Sequence, residues 1–105
     1  MSEIIYLNRD NQIILELRTD EVLQDLSGLT RTQLIIGTTT LDSATVSGYF
    51  DWTDTGYGTG TLVIDVGSAT LTEGFHSCCY IVVYDNTNAN GIVWGKKFAI
   101  LVEDI

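Results

Sequence analysis

Between clusters of turn-forming residues, apolar side chains in this chain recur at every second position, the period of a strand with one buried face. Residues 13–17 place Ile13, Leu15 and Leu17 on one face and Ile14 and Glu16 on the other. Residues 61–66 set Leu62, Ile64 and Val66 inward, with Val63 and Asp65 outward. A longer run, 75–85, sets Phe75, Ser77, Cys79, Ile81 and Val83 against His76, Cys78, Tyr80, Val82 and Tyr84. In the last run, 92–102, Trp94, Lys96, Phe98, Ile100 and Val102 alternate with Val93, Lys97, Ala99 and Leu101. Residues 4–7, 30–36 and 45–52 complete the strand set, with Gly48 marking a bulge in the last of them. Helix-like spacing is confined to 20–29, at Val22, Leu23, Leu26 and Leu29. Ser27-Gly28 cuts that pattern short, so extended or looped chain is expected there.

Turn signals separate these runs. They are Asn8-Arg9-Asp10-Asn11, Gly37 with the threonines after it, the Gly-rich stretch 51–60 and the hairpin loop Asn86-Thr87-Asn88-Ala89-Asn90-Gly91. Residues 67–74 read as a crossing loop whose apolar anchor is Leu71. About seven short strands at regular spacing predict an all-β, Ig-like antiparallel β-sandwich, with a small barrel as the alternative. The 105 residues fit one such domain, 1–105.

Composition narrows the function more than the fold. Fourteen acidic against five basic residues give a formal net charge of −9. Nucleic-acid affinity rests largely on Lys and Arg at phosphates, and here the one adjacent basic pair is Lys96-Lys97. Binding to nucleic acid or to an anionic membrane is therefore not expected. No apolar run approaches the roughly 18 residues of a membrane span. The start, Met1-Ser2-Glu3, has neither the basic region nor the apolar core of a signal peptide, so synthesis in a cytosol is expected. There is no proline, and Gly, Asn, Asp and Thr carry the turns.

Candidate chemistry is sparse. Cys78 and Cys79 are adjacent on a strand, so their thiols point to opposite faces and do not form an ordinary disulfide with each other. They read as reduced, structural cysteines, with an intermolecular bridge from the outward thiol as the alternative. His76 is the single histidine and reads as a surface or edge residue. Asp51 and Asp54 suggest calcium, but Thr53 and Thr55 occupy the alternate positions and no distant Glu follows. Gly56, Gly58 and Gly60 lead into a strand, whereas a phosphate-binding glycine run leads into a helix. No cofactor, metal or catalytic residue is expected, and the protein reads as a non-enzyme.

The aromatic residues Tyr49, Phe50, Trp52 and Tyr57 cluster around one loop. Core filling suits Phe50 and Trp52, while Tyr57 is flanked by glycines and reads as exposed. Trp52, Tyr57 and Trp94 are the candidate partner-contact residues, because aromatic side chains anchor protein interfaces and stack on sugar rings.

Four segments follow one another in the C-terminal half: Gly60-Thr61-Leu62-Val63-Ile64, Leu71-Thr72-Glu73-Gly74-Phe75, Tyr80-Ile81-Val82-Val83-Tyr84-Asp85 and Phe98-Ala99-Ile100-Leu101-Val102-Glu103. Their order resembles the small Ig-like β-sandwich domains of tailed-bacteriophage virion proteins. Asp42-Ser43-Ala44-Thr45-Val46-Ser47-Gly48 stands where such modules carry Gly-Ala-Thr-Val. The antibody-type inter-sheet disulfide is missing, since only Cys79 occupies a matching position and no second cysteine faces it. The resemblance implies a virion structural protein that docks on a capsid, neck or tail component, in a decoration, head-fibre or adaptor role. It implies other virion proteins as partners, with the chain present as a homo-oligomer or in many copies on a particle. Segments 4–7 and 98–102 are candidates for pairing with strands of neighbouring subunits, by strand addition at a sheet edge. The alternatives are a carbohydrate-binding or adhesion module using the loop aromatics, a divergent enzyme, and an acidic nucleic-acid mimic.

Overall fold

A computed structural model describes residues 2–10, 12–19, 22–23, 26–52 and 60–105. The strands are β1 (Ser2–Tyr6), β2 (Ile13–Glu16), β3 (Arg18–Thr19), β4 (Val22–Leu23), β5 (Leu29–Ile36), β6 (Thr39–Asp42), β7 (Phe50–Asp51), β8 (Thr61–Ile64), β9 (Gly74–Asp85) and β10 (Ile92–Glu103). Among the described residues, seven have four residues or more and three have two. A five-stranded sheet in the order β1-β10-β9-β5-β6 faces a three-stranded sheet in the order β2-β8-β7, and β3 and β4 form a small ribbon. The protein is thus an all-β sandwich. One pairing departs from an antiparallel plan, because β1 runs parallel to β10, with Ile5 opposite Val102.

The core is the set of inward positions of the two sheets. From the larger sheet come Ile5, Leu34, Ile36, Leu41, Cys79, Ile81, Val83, Phe98, Ile100 and Val102. The smaller sheet contributes Ile13, Leu15, Phe50, Leu62 and Ile64. Leu17, Leu26, Val66 and Ala69 close the core from outside the ladders. The crossing loop is thus anchored by Val66 and Ala69 as well as by half-buried Leu71. Burial of these side chains supplies the main driving force, at about 25 cal/mol for each Å² of apolar surface removed from water. Val63 pairs with exposed Ile14 on the far side of the smaller sheet, yet it is itself buried.

Two backbone approaches fix the loops. Asn8 donates its backbone N–H to the Gly67 carbonyl at 2.7 Å. A Cβ on Gly67 would lie 2.1 Å from the carbonyl oxygen of Arg9, so only glycine lets the β1–β2 turn and the crossing loop touch. The β9–β10 hairpin is held by Asp85, whose Oδ1 accepts the N–H groups of Thr87 at 2.9 Å and Asn88 at 2.6 Å. Gly91 closes it at φ 84°.

The structure corrects three expectations. The strand expected over 45–52 shrinks to Phe50–Asp51, preceded by a 3-10 turn at Ser47–Tyr49. Asp42 is the cause. Its carboxylate accepts the N–H of Ala44 at 2.9 Å, and its carbonyl accepts those of Thr45 at 3.1 Å and Val46 at 3.0 Å. Groups that a ladder would use are thus spent in a turn. The threonine run after Gly37 is not a closure but strand β6, paired with β5 through Leu34–Leu41. Segment 98–102 lies inside β10, which has β1 on one side and β9 on the other, so it has no free edge for strand addition. In 20–29, Val22–Leu23 is extended and Leu26 is buried ahead of a turn, as expected for non-helical chain, while residues 20, 21, 24 and 25 lie outside the described residues.

Candidate functional site

The outer face of the five-stranded sheet can be assembled row by row from the pairing register. Ile4 of β1 lies opposite Leu101 of β10, and Leu101 lies opposite Phe75 of β9. Directly opposed residues point to the same side of a sheet. These three apolar side chains therefore form one row across three strands, with Phe75 66% exposed, Ile4 42% exposed and Leu101 half-buried.

Phe75 faces outward because of a bulge. Phe98 pairs with Cys79 and Ile100 with His76, so a two-residue step on β10 answers a three-residue step on β9. Ser77 and Cys78 share the extra position, and both are exposed. The alternation resets across the bulge. Cys79, Ile81 and Val83 keep their inward places, but Phe75 and Ser77 lie outside the core, contrary to the simple alternation of 75–85. His76 correspondingly takes the half-buried side, its Nε2 2.8 Å from the carbonyl oxygen of Thr72.

Beyond the apolar row the surface turns acidic. Glu103 follows Leu101 by two positions on β10 and shares its face, opposite Tyr6. Glu73 immediately precedes Gly74, the partner of Val102. An open recess of about 300 Å³ is lined by Glu73, Gly74, Leu101, Glu103, Asp104 and Ile105, among others.

The other end of the same face is closed by a polar clasp. Arg31 donates from Nε to both carboxylate oxygens of Asp42, at 2.9 and 3.1 Å, and its Nη2 also bonds Oδ2. Gln33 donates to Asp42 at 2.8 Å, Tyr84 donates its hydroxyl to Gln33 at 2.8 Å, and the guanidinium sits 4.8 Å from the centroid of the Tyr84 ring. The Arg31 guanidinium, with help from Gln33 and the Ala44 N–H, holds the Asp42 carboxyl well below the usual carboxylate range. The Asp42 bond in turn raises Arg31. Asp42 ties together β5, β6 and the following turn, and with its partners already in place it reads as a fastening rather than as a proton donor.

The candidate contact residues are placed separately. Trp94 lies opposite inward Ile81 and packs half-buried on the core. Trp52, just after β7, also packs on the core, and it lines an open recess of about 310 Å³ with Thr30, Ser43, Ser47, Phe50 and Asp51. Tyr57, like Asp54, lies outside the described residues. Cys78 is exposed and Cys79 buried, both as free thiols, and burial pushes the Cys79 thiol up. Among the described residues no three His, Cys, Asp or Glu side chains gather as a metal site. No protein-family model and no curated protein matches the chain.

The residues that sequence reading missed are Ile4, Leu101 and Phe75. Each falls in an ordinary alternating strand, and what marks them is their adjacency across β1, β10 and β9. Only the parallel placement of β1 and the bulge in β9 create that adjacency.

Proposed function

We propose that the protein is a non-enzymatic structural protein of a bacteriophage virion, which docks on a capsid, neck or tail component through the outer face of its larger sheet. The observation that carries the docking face is the exposed row Ile4–Leu101–Phe75. A phenyl ring two-thirds exposed is a costly feature for a surface with no partner, and large aromatics are common anchors of protein interfaces. With about 200 Å² of side-chain surface, Phe75 offers about 130 Å² to a partner. A standard interface needs about 800 Å² on each side. The row is thus the centre of a contact, and a particle presenting many copies supplies the remaining avidity. The virion setting rests on the order of segments 60–64, 71–75, 80–85 and 98–103, which resembles the phage sandwich modules.

Sedimentation tests this reading. Wild-type protein is expected to co-sediment with assembled virions from its source, and Phe75→Ala to remain in the supernatant while keeping its native circular dichroism. Co-sedimentation unaffected by Phe75→Ala would remove this face from consideration, and wild-type protein that never associates with particles would end the virion reading.

A second reading, a carbohydrate-binding module, is favoured by one observation: the recess beside Trp52 is lined by Thr30, Ser43, Ser47 and Asp51, residue types that hydrogen-bond sugar hydroxyls. With Trp94→Phe as a background, Trp52 fluorescence titrated with a panel of mono- and disaccharides should shift in a saturable way. A flat response across the panel rejects that reading.

A further inference from the structure

We infer that the partner seated on the Phe75 row is a protein surface with an apolar centre and a Lys or Arg beside it, the cationic side chain entering the recess lined by Glu73, Glu103 and Asp104. The inference rests on the docking face proposed above and adds the chemistry of its occupant.

Three observations lead to it. The apolar row and the recess share Leu101, so one ligand surface covers both. The recess has carboxylates from Glu73, Glu103 and Asp104 and aliphatic surface from Leu101 and Ile105, of which Ile105 is 73% exposed. A lysine or arginine suits such a site, because its methylene stem packs on apolar surface while its head reaches the acids. Two of the chain's five basic residues are held away from this end. Arg31 is engaged by Asp42, and Lys97 lies beyond the bulge, four positions along β10 from Leu101.

The same charges exclude the simplest alternative. A second copy of this chain docked face to face would bring two sets of Glu73, Glu103 and Asp104 together, on molecules that each carry a net charge of −9. Like charges opposed across an interface oppose association. A nucleic acid or an anionic bilayer meets the same repulsion. A cationic, apolar-centred protein surface meets none.

Fluorescence anisotropy with four labelled 12-residue peptides tests the inference. Three share one apolar centre, flanked by Lys, by Ser or by Glu; the fourth is Lys-flanked with a Ser centre. At 50 mM salt the Lys-flanked apolar peptide should bind about tenfold more tightly than its Ser-flanked counterpart, and most of that advantage should vanish at 500 mM salt. Glu73→Gln with Glu103→Gln should reduce the Lys-flanked peptide to the Ser-flanked level. Asp10→Asn with Asp65→Asn, which removes as much charge elsewhere, should not. The Lys-flanked peptide with a Ser centre should bind no better than the Ser-flanked one, which separates this site from general attraction to an acidic protein. Equal binding of the Lys- and Ser-flanked apolar peptides, both lost in Phe75→Ala, would overturn the charge inference and leave the docking face standing. Binding by no peptide, or equal losses in the two double variants, would also overturn it, while particle sedimentation judges the docking face independently.

Discussion

Replacing Phe75 by alanine should cost this protein little stability, although Phe75 is a large apolar residue in the longest strand pair of the sheet. The residue is 66% exposed, so about one third of a side chain of about 200 Å² is covered, or about 70 Å². At about 25 cal/mol per Å² that contact is worth about 1.7 kcal/mol, and the alanine Cβ retains part of it. Lower strand propensity adds a few tenths, giving an expected loss of about 1–1.5 kcal/mol. Phe98 supplies the internal comparison, because it is 8% exposed and pairs with buried Cys79. Phe98→Ala should cost about 3–5 kcal/mol, since it loses the full transfer energy and leaves a cavity.

Urea denaturation followed by far-ultraviolet circular dichroism separates the two cases. With a slope of about 1.5 kcal/mol per molar urea, the midpoint should fall by about 0.7–1 M for Phe75→Ala and by 2 M or more for Phe98→Ala. Slopes should agree with the wild type, so that midpoints compare directly. Equal shifts for the two variants would mean that Phe75 is buried, that β9 carries no bulge at Ser77-Cys78, and that the apolar row does not exist. The docking proposal and the inference built on it would fall together.

Two further predictions concern the clasp and the hairpin. Asp42→Asn should destabilise the protein by about 1–2 kcal/mol at pH 7, the ion-pair share being small because the Arg31 side chain is 41% exposed. Folding lowers the Asp42 carboxyl below its ordinary value, so its stabilisation is complete above pH ~4 and is lost as the pH falls toward the folded-state value. The gap between wild type and Asp42→Asn in thermal melts should therefore narrow from pH 6 to pH 2, and a gap that widens would contradict the assignment. Gly91→Ala should cost about 1–3 kcal/mol, because φ is 84° and the new Cβ would meet the Tyr84 ring and Val82 at 2.7 Å; a variant as stable as wild type in the same urea assay would refute that hairpin geometry.

The sequence shows most of this fold because alternation survives wherever pairing is regular. Residues 13–17 and 61–66 keep their inward sets Ile13, Leu15, Leu17 and Leu62, Ile64, Val66. Strand β6 escapes notice for a simple reason: Leu41 is its single apolar side chain, and one position defines no period. The segment after it misleads for a different one, since Asp42 diverts the N–H groups of Ala44, Thr45 and Val46 into a turn, and no pattern of hydrophobicity records a hydrogen bond.

The two long strands explain why the candidate surface was the least legible part. Both contain irregularities, and their parity decides what happens. Between Trp94 and Phe98, β10 advances four residues while β9 advances two from Ile81 to Cys79. Two extra residues leave the alternation in phase, so Trp94, Phe98, Ile100 and Val102 occupy the inner side as the pattern predicts. Between Cys79 and His76, β9 holds one extra residue, and a single extra residue exchanges the two faces beyond it. An even insertion is therefore invisible and harmless to a reading by periodicity, whereas an odd one turns a core residue of the pattern into a surface residue of the fold. Phe75 lies just past that odd insertion. The exposed ring is thus placed by the bulge, and deleting Ser77 to leave a regular strand should keep Phe75 outward, three positions from inward Cys79, and preserve particle binding. A deletion variant that folds and no longer docks would mean that the bulge itself, rather than the row carrying Phe75, makes the contact.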